Sequence, residues 1–301
     1  MTAGAAAKQS MSTHLPSWLI PRHRKRPALE RMVPVLRRCG VSTICEAAKC
    51  PNVGECFAAG TATFLILGES CTRRCTYCAV EHGVTQPPDP HEPERIAAAA
   101  RELELGYVVI TSVTRDDLTD GGAHHFAATV RALRRALPRA PVETLVPDFR
   151  GDREALAVLA EARPEVFGHN VETVPRLYPK VRPGADYDRS LQLLREAAQA
   201  GMRTKSGAML GLGERLDEVR DVMRDLAAAG VSVLTLGQYL QPSRRHQAVA
   251  RYLRPQEFAM LEAEAAEMGF DQVQAGPFVR SSYHSSRHPA RGATAPDRGQ
   301  R

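Results

Sequence analysis

The stretch CTRRCTYC, residues 71–78, places Cys71, Cys75 and Cys78 within eight residues, shortly after the apolar run TATFLIL of residues 61–67. A β-rich apolar run of this length reads as a buried strand, so the thiols stand where a strand gives way to a loop. Intervals of three and two residues let them converge on one metal centre. A closed structural zinc site takes four ligands, so a compact triple predicts a centre with one position left for a substrate or cofactor. Thiolates suit iron-sulfur clusters, and a four-iron cluster on three cysteines leaves one iron without a protein ligand. On spacing alone, a zinc knuckle or a chance cluster remains the alternative.

Upstream, CEAAKCPNVGEC carries Cys45, Cys50 and Cys56 at intervals of four and five, so six of the seven cysteines fall into two triples. Disulfides would favour pairs and zinc would favour fours, so two triples predict two clusters incompletely ligated by cysteine. Cys39 fits neither set and reads as a small buried hydrophobe. The downstream pattern, with Tyr77 before its last cysteine, resembles the radical S-adenosylmethionine (SAM) enzymes. The two triples together closely resemble the lipoyl synthases. That resemblance implies a SAM-binding cluster on Cys71, Cys75 and Cys78 and an auxiliary cluster on Cys45, Cys50 and Cys56.

With 301 residues, 43% hydrophobic and 25% charged, the chain has the length and composition for one large core, a single domain with extensions. No apolar run approaches the roughly 18 residues of a membrane span. Residues 1–29 lack Asp and Glu and carry several Arg, which suits either a mitochondrial transit peptide or a disordered bacterial N-terminus with a basic arm. WLIP, residues 18–21, resembles the start of the family's own sequence and favours the second. Clustered free thiols without a secretory apolar segment point to a reducing bacterial cytoplasm. A net charge of +6 and a pI near 9.1 favour an acidic partner, and RHRKR at 22–26, the densest patch, reads first as a solvated arm. With 5% aromatics and no basic-aromatic interleaving, nucleic acid is not expected as a partner.

From residue 61 on, short apolar runs alternate with amphipathic stretches, the pattern of βα units on a parallel sheet. The strands are expected at 61–67, 107–112, 142–146, 166–170, 203–210 and 233–238. The helices following them are expected at 94–105, 123–137, 152–162, 187–200, 216–229 and 255–268. Gly106, Gly201, Gly230 and Gly269 fall where left-handed caps end helices. Six units fall short of the eight that close a barrel. The resemblance implies an α/β fold, a partial (β/α)6 TIM-like barrel of the radical SAM type with N- and C-terminal extensions. The chain then divides into a disordered 1–14, an extension at 15–60 carrying the auxiliary cluster motif, a barrel at 61–270, a segment at 271–286 and a disordered tail at 287–301.

Chemistry in βα barrels gathers at the carboxyl ends of the strands, and this chain carries polar motifs there. TSVTRDDLTDGGA, residues 111–123, resembles the lipoyl synthase sequence almost residue for residue, and places Thr111 and Ser112 where the family meets the methionyl amine of SAM. Arg115, Asp116 and Asp117 follow, and read either as part of the site or as a helix cap and surface ion pairs. GHNVETVPRLY sets Asn170 and Glu172 within reach of ribose hydroxyls, with Gly168 where the family usually has Asn. TKSGAMLGLGE, residues 204–214, resembles the strand whose glycines admit the adenosine, and adds Lys205; Gln238 ends the sixth strand, and His246 reads as structural or substrate-facing. RSSY, residues 280–283, resembles the lipoyl synthase signature in which a serine completes the auxiliary cluster; Ser282 is the expected ligand, with Ser281 second.

The resemblance covers residues 15–286 and implies a transferase using two 4Fe-4S clusters and SAM. It would insert two sulfurs at C6 and C8 of a protein-bound octanoyl-lysine, the auxiliary cluster being the sulfur donor. The implied partners are octanoylated lipoyl carrier domains or H protein, an electron donor such as ferredoxin or flavodoxin, and an iron-sulfur cluster carrier. Another sulfur-inserting radical enzyme, or a non-catalytic metal-binding protein, would share parts of the pattern.

Overall fold

Apolar runs buried on both faces become the strands of one sheet in the computed structural model, which describes residues 15–20, 26–48 and 50–283. After a short turn at Ser17–Leu19, the chain forms α1 (Arg26–Cys39), β1 (Ser42–Thr43), α2 (Ile44–Ala47) and α3 (Val53–Ala58). There follow β2 (Thr61–Ile66), β3 (Ser70–Cys71), β4 (Glu81–His82), α4 (Glu92–Glu102), β5 (Tyr107–Ser112), α5 (Ala123–Ala136), β6 (Val142–Leu145) and α6 (Arg153–Ala162). The second half holds β7 (Val166–Gly168), α7 (Tyr178–Val181), α8 (Tyr187–Gln199), β8 (Thr204–Leu210), α9 (Leu216–Ala228), β9 (Val233–Gln238), α10 (Pro255–Glu267) and β10 (Gln272–Gly276).

The sheet runs β1-β2-β5-β6-β7-β8-β9-β10, parallel throughout except for β1 against β2. Every residue of β2 and β9 is buried, as a strand between a helical layer and a barrel interior requires. Phe64, Ile110, Phe126 and Leu133 anchor the core of the first half, and Leu210, Leu226, Leu234 and Leu261 that of the second. The six expected βα units are all present, and α10 leads into one further parallel strand. Sequence reading passes over β10 because QVQAG alternates no clear apolar face: all five residues are half-buried, and the strand is held by backbone pairing with β9.

Both ends of the sheet are carried by the extensions, β1 on the free edge of β2 and β10 on that of β9. The extensions also touch each other, Asn52 Nδ2 donating to Phe278 O at 2.6 Å and Tyr283 Oη to Glu55 Oε1 at 3.2 Å. Three of the four expected glycine caps sit at positive φ; after α4 the left-handed position falls on Glu104 (φ 51), two residues before Gly106. Cys39 is half-buried and packs against the first core. Residues 1–14, the arm at 22–25 and the tail at 287–301 lie outside the described residues. No described helix is long and apolar enough to cross a membrane.

Candidate functional site

The cysteine loop is hung from three neighbours. Thr72 exchanges bonds with the turn after β5, its N–H and hydroxyl both donating to Thr114 O and its Oγ1 accepting from Asp116 N at 3.1 Å. Thr76 N donates to Val181 O at 3.0 Å. Between them the buried Arg73 grips two carboxylates bidentately, Asp116 at 2.7 and 2.9 Å and Asp148 at 3.0 and 2.6 Å. Burial opposes ionisation of Asp148, but the Arg73 guanidinium prevails and holds that carboxyl down at about 2. Asp116 and Arg115 are therefore not surface pairs, since Asp116 is held by a buried guanidinium and Arg115 is itself one, while Asp117 keeps an exposed side. Asp116 orients the loop, and Arg115, 1% exposed, ties Asp117 to Leu67 O at the end of β2.

Against this loop lies a cavity of about 160 Å³ lined by Cys71, Cys75, Cys78, Ser112, His169 and Arg182, among others. A larger one of about 490 Å³ adjoins it, and Tyr77, Cys78, Thr111, Asn170 and Glu172 line both. Several polar atoms here are buried without a hydrogen bond: Ser112 Oγ, Asn170 Oδ1 and His169 Nε2. His169 Nδ1 sits 2.8 Å from Val146 O, and burial together with the Arg182 charge pushes the imidazole down to about 4. The ring is thus neutral at pH 7, with Nε2 as an open acceptor. Burial pushes the Glu172 carboxyl up, opposed by Arg182 and by the Asn170 amide, which donates to Oε1 at 3.1 Å. Glu172 holds a positive φ of 65 and is bridged to Ala208, which presents its side chain at this spot on the strand end. A Cβ on Gly207 would stand 2.3 Å from Thr235 Oγ1 and 3.3 Å from Asn170 Oδ1, so only glycine keeps that side open. At Gly168 a Cβ would lie 2.9 Å from Thr144 O, leaving little room for a side chain where the family carries Asn.

Two expected SAM contacts are placed elsewhere. Lys205 lies near the amino end of β8 with its Nζ 2.9 Å from Glu143 Oε1, and Tyr107 Oη donates to the same carboxylate, a buried group inside the barrel below the cavity. Gln238 is fully buried, its amide donating to Leu210 O, Tyr239 O and Arg251 O and accepting from Leu253 N. Gly211 belongs to that brace, because a Cβ there would meet Gln238 Nε2 at 2.3 Å. His246 pairs with Ser243 Oγ at 2.8 Å within its own loop.

The other triple comes together across α2, α3 and the turn between them. Cys45, Cys50 and Cys56 line a small cavity with Asn52, Thr63, Arg280 and Ser282, whereas Ser281 faces the larger cavity alone. Cys45 and Cys50 also line the larger cavity, so the two thiol sets open on one space. Burial pushes the Cys45 and Cys78 thiols up to about 12 each, and raises Cys50 and Cys75 as well. Thiolates at such positions require a strong cation, which iron supplies. Among the described residues no three His, Cys, Asp or Glu are drawn close enough to hold a single metal ion. A polynuclear cluster sets its ligands wider apart. Three thiols with an open side at one site, and three thiols with a hydroxyl at the other, fit iron-sulfur clusters by donor chemistry.

Arg73, Asp148, His169, Arg182 and Arg280 escape the sequence reading as site residues. Arg73 stood in plain view inside CTRRCTYC; the others come together only through the fold.

Residues 65–226 match the Radical SAM superfamily. The lipoyl synthase of Methylococcus capsulatus is 56% identical over 278 residues, covering 91% of this chain and 86% of that protein. The lipoyl synthase of Thiobacillus denitrificans is 53% identical over 282 residues, 93% and 91% of the two chains. Among solved structures, SuiB of Streptococcus suis bound to S-adenosylmethionine superposes with a TM-score of 0.57 at 10% identity, over 75% of this chain and 54% of that one. Methylornithine synthase (PylB) superposes at 0.54 with 14% identity, over 74% and 75%. These two likenesses carry the fold alone. With the family match and relatives above half identical over nine-tenths of its length, the chain belongs to the lipoyl synthase family of the radical SAM superfamily.

Proposed function

We propose that this chain inserts two sulfur atoms, at C6 and C8, into an octanoyl group borne on a lysine of a lipoyl carrier domain or H protein in the bacterial cytoplasm. The observation that carries the reading is the shared space: Cys45 and Cys50 on one side and Tyr77 and Cys78 on the other line a single cavity of about 490 Å³. With a 4Fe-4S cluster and SAM at Cys71, Cys75 and Cys78 and a second cluster at Cys45, Cys50, Cys56 and Ser282, the bound groups would supply radical hydrogen abstraction and sulfur.

The chain's own residues bind, orient and shield. Ser112, Asn170 and His169 offer unspent polar atoms to the polar part of SAM, with Thr111 and Glu172 beside them. Ile44, Val80, Leu145, Met209 and Val279 provide an apolar wall along which an alkyl chain can extend without contacting water. Lys205 and Gln238 serve as internal braces. An electron donor such as ferredoxin or flavodoxin, and a carrier to rebuild the auxiliary cluster, follow as required partners.

Anaerobic turnover of an octanoyl-lysine peptide should give a product heavier by two sulfurs, with two SAM consumed. Absence of any thiolated product from protein holding both clusters would sink the reading. Ser282 is the oxygen ligand in this account, a harder donor than thiolate and easier to displace when iron must leave. Ser282→Cys should keep the cluster yet impair lipoyl formation, and Ser282→Ala should weaken cluster retention, with SAM cleavage intact in both. Full lipoyl yield from Ser282→Ala, or loss confined to Ser281→Ala, would move the ligand.

A further inference from the structure

Three segments meet beside the shared cavity: the cysteine loop at 70–80 and the loop 239–256 after β9, which both line it, and the stretch 173–184 around α7, which lines the smaller cavity through Arg182 and is tied to the cysteine loop. Thr76 joins them, its N–H donating to Val181 O at 3.0 Å, its hydroxyl to Lys180 O at 3.3 Å, and its carbonyl accepting from Gln247 N at 2.8 Å. Gln241 and Pro242 of the loop after β9 line the shared cavity directly. The three segments contain nine Arg or Lys and no Asp or Glu.

Some of these cations have partners outside the segments: Arg73 on Asp116 and Asp148, Arg176 on Glu218, Arg251 on Glu257. Arg182 is turned inward onto the carbonyls of Asn170 and Val171. Arg254 opens α10 beside Glu257, whose carboxylate accepts from its backbone N–H at 2.8 Å. Arg74, Lys180, Arg244 and Arg245 are different. They are exposed and take part in no ion pair among the described residues. Elsewhere Arg95, Arg135, Arg220 and Arg224 each stand beside a carboxylate, while Arg101, Arg131 and Arg139 are exposed and take part in no ion pair among the described residues; what sets the three segments apart is nine cations with no carboxylate of their own.

We propose that Arg74, Lys180, Arg244 and Arg245 form a docking collar for an acidic face of the carrier domain, one whose carboxylates flank the acyl-bearing lysine. The inference rests on the reaction proposed above and names the partner surface that reaction needs. A lysine arm can reach the cavity only if the surrounding protein surface comes up to the mouth, within side-chain reach of the collar. A collar with no carboxylate of its own repels a basic surface and draws an acidic one, acting on encounter rate and orientation more than on tightness. Nucleic acid is the poorer fit, because the aromatics of these segments, Tyr77, Tyr178, Tyr239 and Tyr252, are buried or half-buried and offer no exposed stacking platform.

The test uses the full chain with both clusters and two substrates, an intact octanoylated carrier domain and a short octanoyl-lysine peptide without charged neighbours. The variant K180Q/R244Q/R245Q leaves out Arg74, which lies between two cluster cysteines. At about 0.05 M salt its KM for the intact domain should rise about tenfold, while wild type should approach the same value by about 0.5 M as exposed charges are screened. The KM for the peptide should not change. Calorimetric titration of the domain onto the protein should show the same shift in Kd without any turnover. Equal KM and Kd for variant and wild type at low salt would overturn the collar. Single-stranded RNA competing through the same three side chains as strongly as the domain would overturn its assignment to an acidic protein. If wild type converted neither substrate, yet the variant still lost domain binding, the reaction would fall and the collar would stand.

Discussion

Replacing Cys71, Cys75 and Cys78 together by Ala should remove about half the bound iron and abolish SAM cleavage, since each triple is local in sequence and, in the function proposed above, would hold its own cluster. Replacing Cys45, Cys50 and Cys56 should remove the other half, leave deoxyadenosine production measurable, and eliminate sulfur insertion. The geometry makes the two outcomes separable. The first triple is fixed by Arg73, Thr72 and Thr76 to β5, β6 and α7. The second is fixed by α2, α3 and the C-terminal segment through Asn52 and Tyr283. The bonds just named that fix each scaffold do not run to the other's cysteines, so loss of one set of thiols leaves the second set held. Iron content, and deoxyadenosine and lipoyl product measured on one preparation, decide the matter. Loss of all iron from both triple variants, under conditions where the wild type holds two clusters, would replace two sites by one shared centre.

Much of this architecture was legible because the signals are local. A strand such as Thr61–Ile66 announces itself by an apolar, β-rich run whose six residues all prove buried, and a helix such as Leu216–Ala228 by a single apolar face. The cysteines could be grouped because they are few and tightly spaced. What escaped depends on pairs distant in sequence. Nothing in PDF at 147–149 tells that Asp148 receives Arg73 from 75 residues away. Lys205 and Gln238 look like strand-end polar groups in sequence; their direction is decided by the partners the barrel supplies. For Lys205 that partner is Glu143 on β6, two strands across, and for Gln238 a ring of backbone carbonyls whose donors were needed inside. The weakest strand signal, QVQAG, is a strand because β9 leaves an edge to pair with, not because its side chains ask to be buried.

Gly237→Ala should separate the two halves of the site with one methyl group. On β9, Gly237 is paired on both sides, with Met209 of β8 and Gly276 of β10, so its own backbone has no freedom to retreat. A Cβ there would lie 2.1 Å from Val279 O, 3.0 Å from Val279 C and 3.3 Å from Arg280 Nη1. Contacts that short with backbone must be relieved, at a cost of about 1–3 kcal/mol for overpacking, and the segment able to move is the one carrying Val279, Arg280 and Ser282. Arg280 lines both the small cavity of Cys45, Cys50 and Cys56 and the larger shared one, so its displacement disturbs the auxiliary side first. Lipoyl product should fall about a hundredfold, the penalty typical of an ångström-scale misplacement, with an altered auxiliary-cluster spectrum and undiminished SAM cleavage. Gly276→Ala is the control: it adds the same atom on the neighbouring strand, where the nearest contact is Val279 Cγ2 at an ordinary 3.4 Å. It should match wild type in product, spectrum and stability. Wild-type lipoyl yield from Gly237→Ala, or equal losses from the two variants, would mean that the close seating of Val279 and Arg280 on β9 does not govern the auxiliary site.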